Sequence, residues 1–139
     1  MPVVVDASVW IDYFAGRLTP QTGWLDEALG KESLAVADLI VSEVLRGFAD
    51  EREQQKAREA LLCFRCYAIG GLDLVVSSAE HQRLLRAKGE PVPSVVSCLI
   101  ATFCLRWNLP LLHGDPAYEP FERHLGLQGW GSGGERPRV

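Results

Sequence analysis

Three consecutive valines, Val3-Val4-Val5, stand at the start of the chain and run straight into Asp6. A strand of this kind has no polar face, so it must be covered on both sides, as happens in a parallel sheet flanked by helices. An ionised carboxylate at the exit of a buried strand is costly unless something there uses its charge. In open parallel α/β sheets, ligands bind at the carboxyl ends of the strands. Asp6 is therefore the first candidate for chemistry, beside the plainer reading that it turns the chain or caps a following helix.

The rest of the sequence is consistent with such a sheet. At 139 residues the chain is long enough for one domain with a proper core. Residues 1–128 read as that single domain, and residues 129–139, rich in Gly and Arg, as a flexible tail. No apolar stretch is long enough for a bilayer, and the N-terminus lacks the basic and hydrophobic segments of a signal peptide, so no membrane role and a cytoplasmic location are expected. The net charge of −4 argues against nucleic-acid binding by bulk electrostatics. It leaves room for an acidic centre whose bound cation inverts the local sign. Arg46, Arg52, Arg83 and Arg86 could supply local phosphate contacts; as ordinary helix residues they would be solvated faces.

Periodicity places short helices over residues 10–14 and 22–29 and a second strand over 34–36. Asp38 is expected to cap a helix carrying Ile40 and Val44, and residues 51–66 read as a longer amphipathic helix. Residues 72–76 read as a third strand, followed by a Ser77–Glu80 capping box that opens a helix ending near Gly89. Ser94 caps an almost wholly apolar helix over 95–107, which Asn108 and Pro110 end. Residues 109–112 form a fourth strand, a short helix covers 120–125, and Leu127 begins an edge strand. Strands alternating with helices give an α/β fold around a mainly parallel sheet of four or five strands. In that topology Asp6 and Asp115, each just past a strand, lie at the same edge of the sheet.

The residues also resemble a known family. Val4-Val5-Asp6-Ala7-Ser8-Val9-Trp10-Ile11-Asp12-Tyr13-Phe14 is similar to the opening of a PIN domain, in particular the VapC-type ribonuclease toxins of toxin–antitoxin pairs. Ser42-Glu43-Val44-Leu45-Arg46-Gly47 resembles the family's helix with its second acid. Ser97-Cys98-Leu99-Ile100-Ala101-Thr102 and Leu111-Leu112-His113-Gly114-Asp115 resemble its two C-terminal motifs. The resemblance implies a PIN-like three-layer α/β/α sandwich and metal-dependent cleavage of RNA at an acidic cluster. On that pattern Asp6, Glu43 and Asp115 would hold Mg²⁺ or Mn²⁺, and Ser8 would contact a metal-bound water or the phosphate, or else make a plain turn hydrogen bond. Further implications are a homodimer and a VapB-like antitoxin partner.

One position departs from the pattern. Where the family places its third acid, this chain has Ser97, a neutral and weaker ligand, so the site loses one negative charge. The alternatives are a weakened nuclease, a silenced variant, or an inactive PIN domain acting as a binding or regulatory module with its antitoxin. Asp12, Glu90 and Glu119 are the nearest acids in sequence that could substitute. Cys63-Phe64-Arg65-Cys66 has the spacing of zinc and redox sites but falls at the end of the expected 51–66 helix with no second pair, so the four cysteines read as small buried hydrophobes. His81, His113 and His124 have no metal-ligand spacing, and His113 reads as a packing residue beside the acids.

Overall fold

The computed structural model describes residues 1–131. Strand β1 (Val3–Val5) is the centre of the sheet, and all three valines are fully buried. It leads into helices α1 (Ala7–Phe14) and α2 (Pro20–Ala28), then β2 (Leu34–Ala37), α3 (Asp38–Leu45) and α4 (Glu51–Leu61). Strand β3 (Arg65–Tyr67) is followed by α5 (Leu72–Ala87), α6 (Val95–Trp107) and β4 (Leu111–Leu112). A 3-10 turn (Pro116–Tyr118), helix α7 (Glu119–Leu125) and β5 (Gly129–Trp130) complete the described chain. The strand order is β3-β2-β1-β4-β5 and every pairing is parallel. Helices α1 to α4 pack among themselves, α5 pairs with α6, and the sheet lies in the middle of an α/β/α sandwich. No helix among the described residues is long and apolar enough to cross a membrane.

Because the strands are parallel, their carboxyl ends share one edge. The hydrogen bond from Asp6 N–H to the Leu112 carbonyl, 2.9 Å, ties the exits of β1 and β4 together. Helix α6 starts where expected, with the Ser94 hydroxyl accepting from Ser97 N–H at 3.1 Å, and ends on Asn108 in the left-handed conformation. Buried Cys98, Ile100 and Ala101 seat it in the core, although Val95 and Trp107 at its ends are exposed.

Five expectations are corrected. The helix expected over residues 51–66 ends at Leu61, and residues 65–67 are the third strand, pairing Ala35 with Arg65 and Ala37 with Tyr67. This strand lies at the sheet edge, so it needs no apolar run and shows none. Residues 72–76 are consequently the start of α5, with no break at the Ser77–Glu80 pattern. A short apolar run fits either period, and here only Leu74 of that run is buried while Leu72 and Val76 face solvent. Asp38 is the first residue of α3 and not its cap. Its Oδ1 accepts from Leu39 N–H at 2.8 Å and from Ile69 N–H at 3.2 Å, fastening the chain after β3 to the start of α3. The four cysteines divide: Cys98 and Cys104 are buried, Cys63 and Cys66 exposed, and all are free thiols.

The fifth correction concerns the expected tail. Gly129 and Trp130 form β5, and His113 N–H donates to the Trp130 carbonyl at 2.9 Å. The glycines here serve close approach: a Cβ on Gly131 would lie 2.6 Å from His113 Cε1, and one on Gly129 would lie 2.7 Å from Glu122 Oε2. Residues 132–139 of the expected tail lie outside the described residues.

Candidate active site

Asp6 is the cap of α1, and its Oδ2 accepts from Ser8 N–H at 3.1 Å and from the Ser8 hydroxyl at 2.6 Å. Its Oδ1 accepts from the Tyr118 hydroxyl at 2.7 Å. The residue is only 4% exposed, so these neutral donors are what make a buried carboxylate tolerable. The Ser8 hydroxyl in turn accepts from Gly114 N–H at 3.0 Å, joining the exit of β1 to the loop that follows β4. Ser8 thus makes its turn hydrogen bond and links two strand ends.

Asp115 caps the 3-10 turn, accepting from Ala117 N–H at 2.9 Å through Oδ1. Its own N–H donates to His113 Nδ1 at 3.2 Å, which leaves the other ring nitrogen to donate to Glu122 Oε1, also at 3.2 Å. Buried His113 is therefore a structural support of the Asp115 loop, as its sequence context suggested. Glu43, half-buried on α3, completes the group. Its carboxyl is pushed above its usual range first by burial and then by the negative charge of Asp6; Arg46 pulls it back, and Asp115 pushes it up again. Three acids widely separated in sequence thus share one electrostatic field.

Ser97 lies in the first turn of α6. Its hydroxyl oxygen accepts from the Ser94 hydroxyl at 3.0 Å. None of the candidate substitutes joins the site. Asp12 pairs with Arg17 at 2.9 Å, Glu90 pairs with Arg123 and His124, and exposed Glu119 lies 3.9 Å from Arg123. The residue missed by sequence reasoning is Tyr118. It is 1% exposed, and burial together with the charge of Asp6 holds its phenol well above the usual range, so it is a neutral donor. The only trace of it in the sequence is an aromatic residue three places after Asp115, which reads equally as core.

No three His, Cys, Asp or Glu side chains among the described residues close on one point as a ready-made metal cage. The donor chemistry nevertheless fits a hard divalent cation. Such ions take carboxylate oxygens, and Mg²⁺ keeps several waters, so one or two carboxylates per ion suffice. Burial raises Glu43 first and the charges of Asp6 and Asp115 add to it, and a cation would relieve that repulsive part.

Comparison with known proteins gives this arrangement its family. The sequence profile described as "PIN domain" matches residues 3–123. The chain belongs to the PIN-domain family. Its similar proteins include the VapC ribonuclease Mb1587 of Mycobacterium bovis and ribonuclease VapC11 of Mycobacterium tuberculosis. Each is 23% identical over 128 residues, covering 91% of this chain and 96% of the relative. Among solved structures, the PIN domain here resembles a chain of VapBC2 from Rickettsia felis bound to a promoter DNA fragment, with a TM-score of 0.74 at 14% identity, covering 94% of this chain and 98% of that one. It also resembles a chain of FitAB bound to an IR36 DNA fragment, with a TM-score of 0.73 at 11% identity and 99% of both chains covered. At such identities these structures speak for the fold.

Proposed function

We propose that this PIN domain is the toxin component of a type II toxin–antitoxin pair, an endoribonuclease that hydrolyses RNA phosphodiesters with Mg²⁺ or Mn²⁺. It would act in the cytoplasm as a homodimer restrained by a VapB-like antitoxin. The observation that carries this reading is that the exits of β1 and β4 bring Asp6 and Asp115 to one edge of the sheet, tied by Asp6 N–H to the Leu112 carbonyl at 2.9 Å and by Gly114 N–H to the Ser8 hydroxyl at 3.0 Å; the upward push on the Glu43 carboxyl, from burial first and then from both charges, supports its nearness. VapC ribonucleases among the similar proteins support it, and so do antitoxin complexes among the similar structures, such as a toxin–antitoxin complex from Klebsiella pneumoniae.

Asp6, Glu43 and Asp115 would hold the cation, which when bound neutralises the phosphate and makes a bound water more acidic. The chain's own residues do the placing. The Ser8 and Tyr118 donors fix the Asp6 carboxylate, Ser8 locks the β1 exit to the Gly114 loop, and His113 supports the backbone of Asp115. With Ser97 in place of a fourth acid, the site carries less charge and binds cations more weakly than a four-acid site.

A second reading has its own support: both oxygens of Asp6 already receive protein donors, as in a site kept for binding and not for turnover. Incubation with RNA separates the two. A turnover enzyme cleaves RNA at defined positions when Mg²⁺ or Mn²⁺ is added, and stops when the ion is chelated. Absence of cleavage combined with retained antitoxin binding would favour the inactive module, and hydrolysis of small phosphate esters in place of RNA would refute both.

A further inference from the structure

The loop that carries Asp115 is held from behind by one ring. His113 is 1% exposed, and its Nδ1 accepts from Asp115 N–H at 3.2 Å. A ring nitrogen that accepts carries no proton, so the ring's proton sits on Nε2. That nitrogen faces Glu122 Oε1 at 3.2 Å, and an ionised carboxylate can only accept. The opposite tautomer fails at both ends. It would set Nδ1–H against Asp115 N–H, and a bare Nε2 against the carboxylate. Two partners on opposite sides of the ring thus select the same tautomer.

The surroundings are shaped to this pair. A Cβ on Gly129 would lie 2.7 Å from Glu122 Oε2 and 3.0 Å from His113 Nε2, and one on Gly131 would lie 2.6 Å from His113 Cε1. Residues 129–131 therefore close on the ring and the carboxylate with bare backbone, where any side chain would push them aside. The main chain of His113 is fixed as well, its N–H donating to the Trp130 carbonyl at 2.9 Å. On another side the Tyr118 ring lies 4.9 Å from the imidazole, centroid to centroid. Among the described residues Glu122 makes no hydrogen bond to Asp115 itself, so it reaches that residue only through the ring.

We propose that Glu122 is a positioning residue for Asp115. By holding the His113 proton on Nε2 it keeps Nδ1 open to the Asp115 amide, and so fixes the backbone from which that carboxylate projects. An acid on α7 thereby serves the site without being one of its candidate ligands. The bearing on cation binding rests on the metal-dependent reading above, whereas the fixed backbone does not.

The test uses the full chain with Glu122→Ala, which removes the acceptor, and Glu122→Gln, which keeps one. In the metal-free, isotope-labelled protein, NMR should show His113 protonated on Nε2 and bare on Nδ1. It should also show a coupling across the hydrogen bond between Nδ1 and the Asp115 amide. Glu122→Ala should lose that coupling and exchange its Asp115 amide proton faster, whereas Glu122→Gln should keep the wild-type pattern. A role for Glu122 in packing alone would not separate the two variants in this way. Mn²⁺ alone, titrated by electron paramagnetic resonance, should bind about 10–100-fold more weakly to Glu122→Ala, the usual penalty for losing an outer partner of a ligand. Glu122→Gln should recover most of that loss. A coupling that survives in Glu122→Ala, equal damage in both variants, or unchanged Mn²⁺ affinity in Glu122→Ala would overturn the proposal. If the coupling behaves as expected while the wild-type chain binds no Mn²⁺, Glu122 still positions the Asp115 backbone and the metal-dependent reading fails. Should Glu122→Ala not fold, the wild type and Glu122→Gln still decide, because a proton on Nδ1 in either one overturns the proposal.

Discussion

Replacing Asp6 by asparagine keeps the shape of the side chain and removes one acceptor. If the amide oxygen stays on the Ser8 side and preserves the cap of α1, the amide nitrogen faces the Tyr118 hydroxyl. Two donors then face each other, and if the phenol turns to accept from the amide its own proton loses its partner, so one buried donor is left unmatched either way. Loss of a hydrogen bond to a charged group costs about 1.5–3 kcal/mol. The same change relieves the repulsion between Asp6 and Glu43, which offsets part of it. The expected net loss in metal-free protein at pH 7 is about 1–2 kcal/mol, or a fall in Tm of roughly 3–8 °C for a domain of this size. Glu43→Gln should move the other way. Burial and neighbouring charge hold the Glu43 carboxyl above its ordinary 4.5, so the folded protein keeps that proton to higher pH than the unfolded chain. The stability this contributes is present below pH 4.5 and lost as pH rises through the folded value. Glu43→Gln therefore raises Tm at pH 7, and the gain fades below the ordinary carboxyl range. Thermal melting of both variants from pH 4 to pH 8 without divalent ions measures this. If Asp6→Asn stabilises, or Glu43→Gln destabilises at pH 7, the assignment of one carboxylate as satisfied and the other as repelled is wrong.

Two further outcomes follow from the packing. Leu112→Ala empties a fully buried position on β4 next to the Asp115 loop and should cost about 2–5 kcal/mol in denaturant titration. Ser94→Ala removes the cap of α6 and should cost about 1 kcal/mol, measured the same way.

The parts of the fold that were legible in the sequence are those where burial dictates composition. Val3–Val5 could only be an inner strand, and Ser94 with Asn108 marks both ends of α6 because cap chemistry is local. The edge strand Arg65–Tyr67 was hidden because an edge is exposed, and Arg65 and Cys66 look like the end of the preceding helix. Residues 72–76 imitated a strand because a short apolar run carries no period of its own, and the bonding that decides it lies elsewhere in the sheet. Asp6 and Asp115 were legible as strand-exit residues, because each follows an apolar run that only an inner strand explains. Tyr118 was not, since its importance lies in a proton given to a residue more than a hundred places away. The same holds for Gly129 and Gly131, whose role against His113 appears only once β5 is in place.

Whether Asp6, Glu43 and Asp115 act together on RNA is decided by cleavage of a defined RNA in Mn²⁺ by the wild-type chain and by Asp6→Asn, Glu43→Gln and Asp115→Asn, with Asp12→Asn as the control acid outside the site. Ion-dependent cleavage is expected from the wild type and from Asp12→Asn, with loss of it in each of the other three variants. Cleavage that survives all three substitutions, or none by the wild type at any Mn²⁺ concentration, would contradict it.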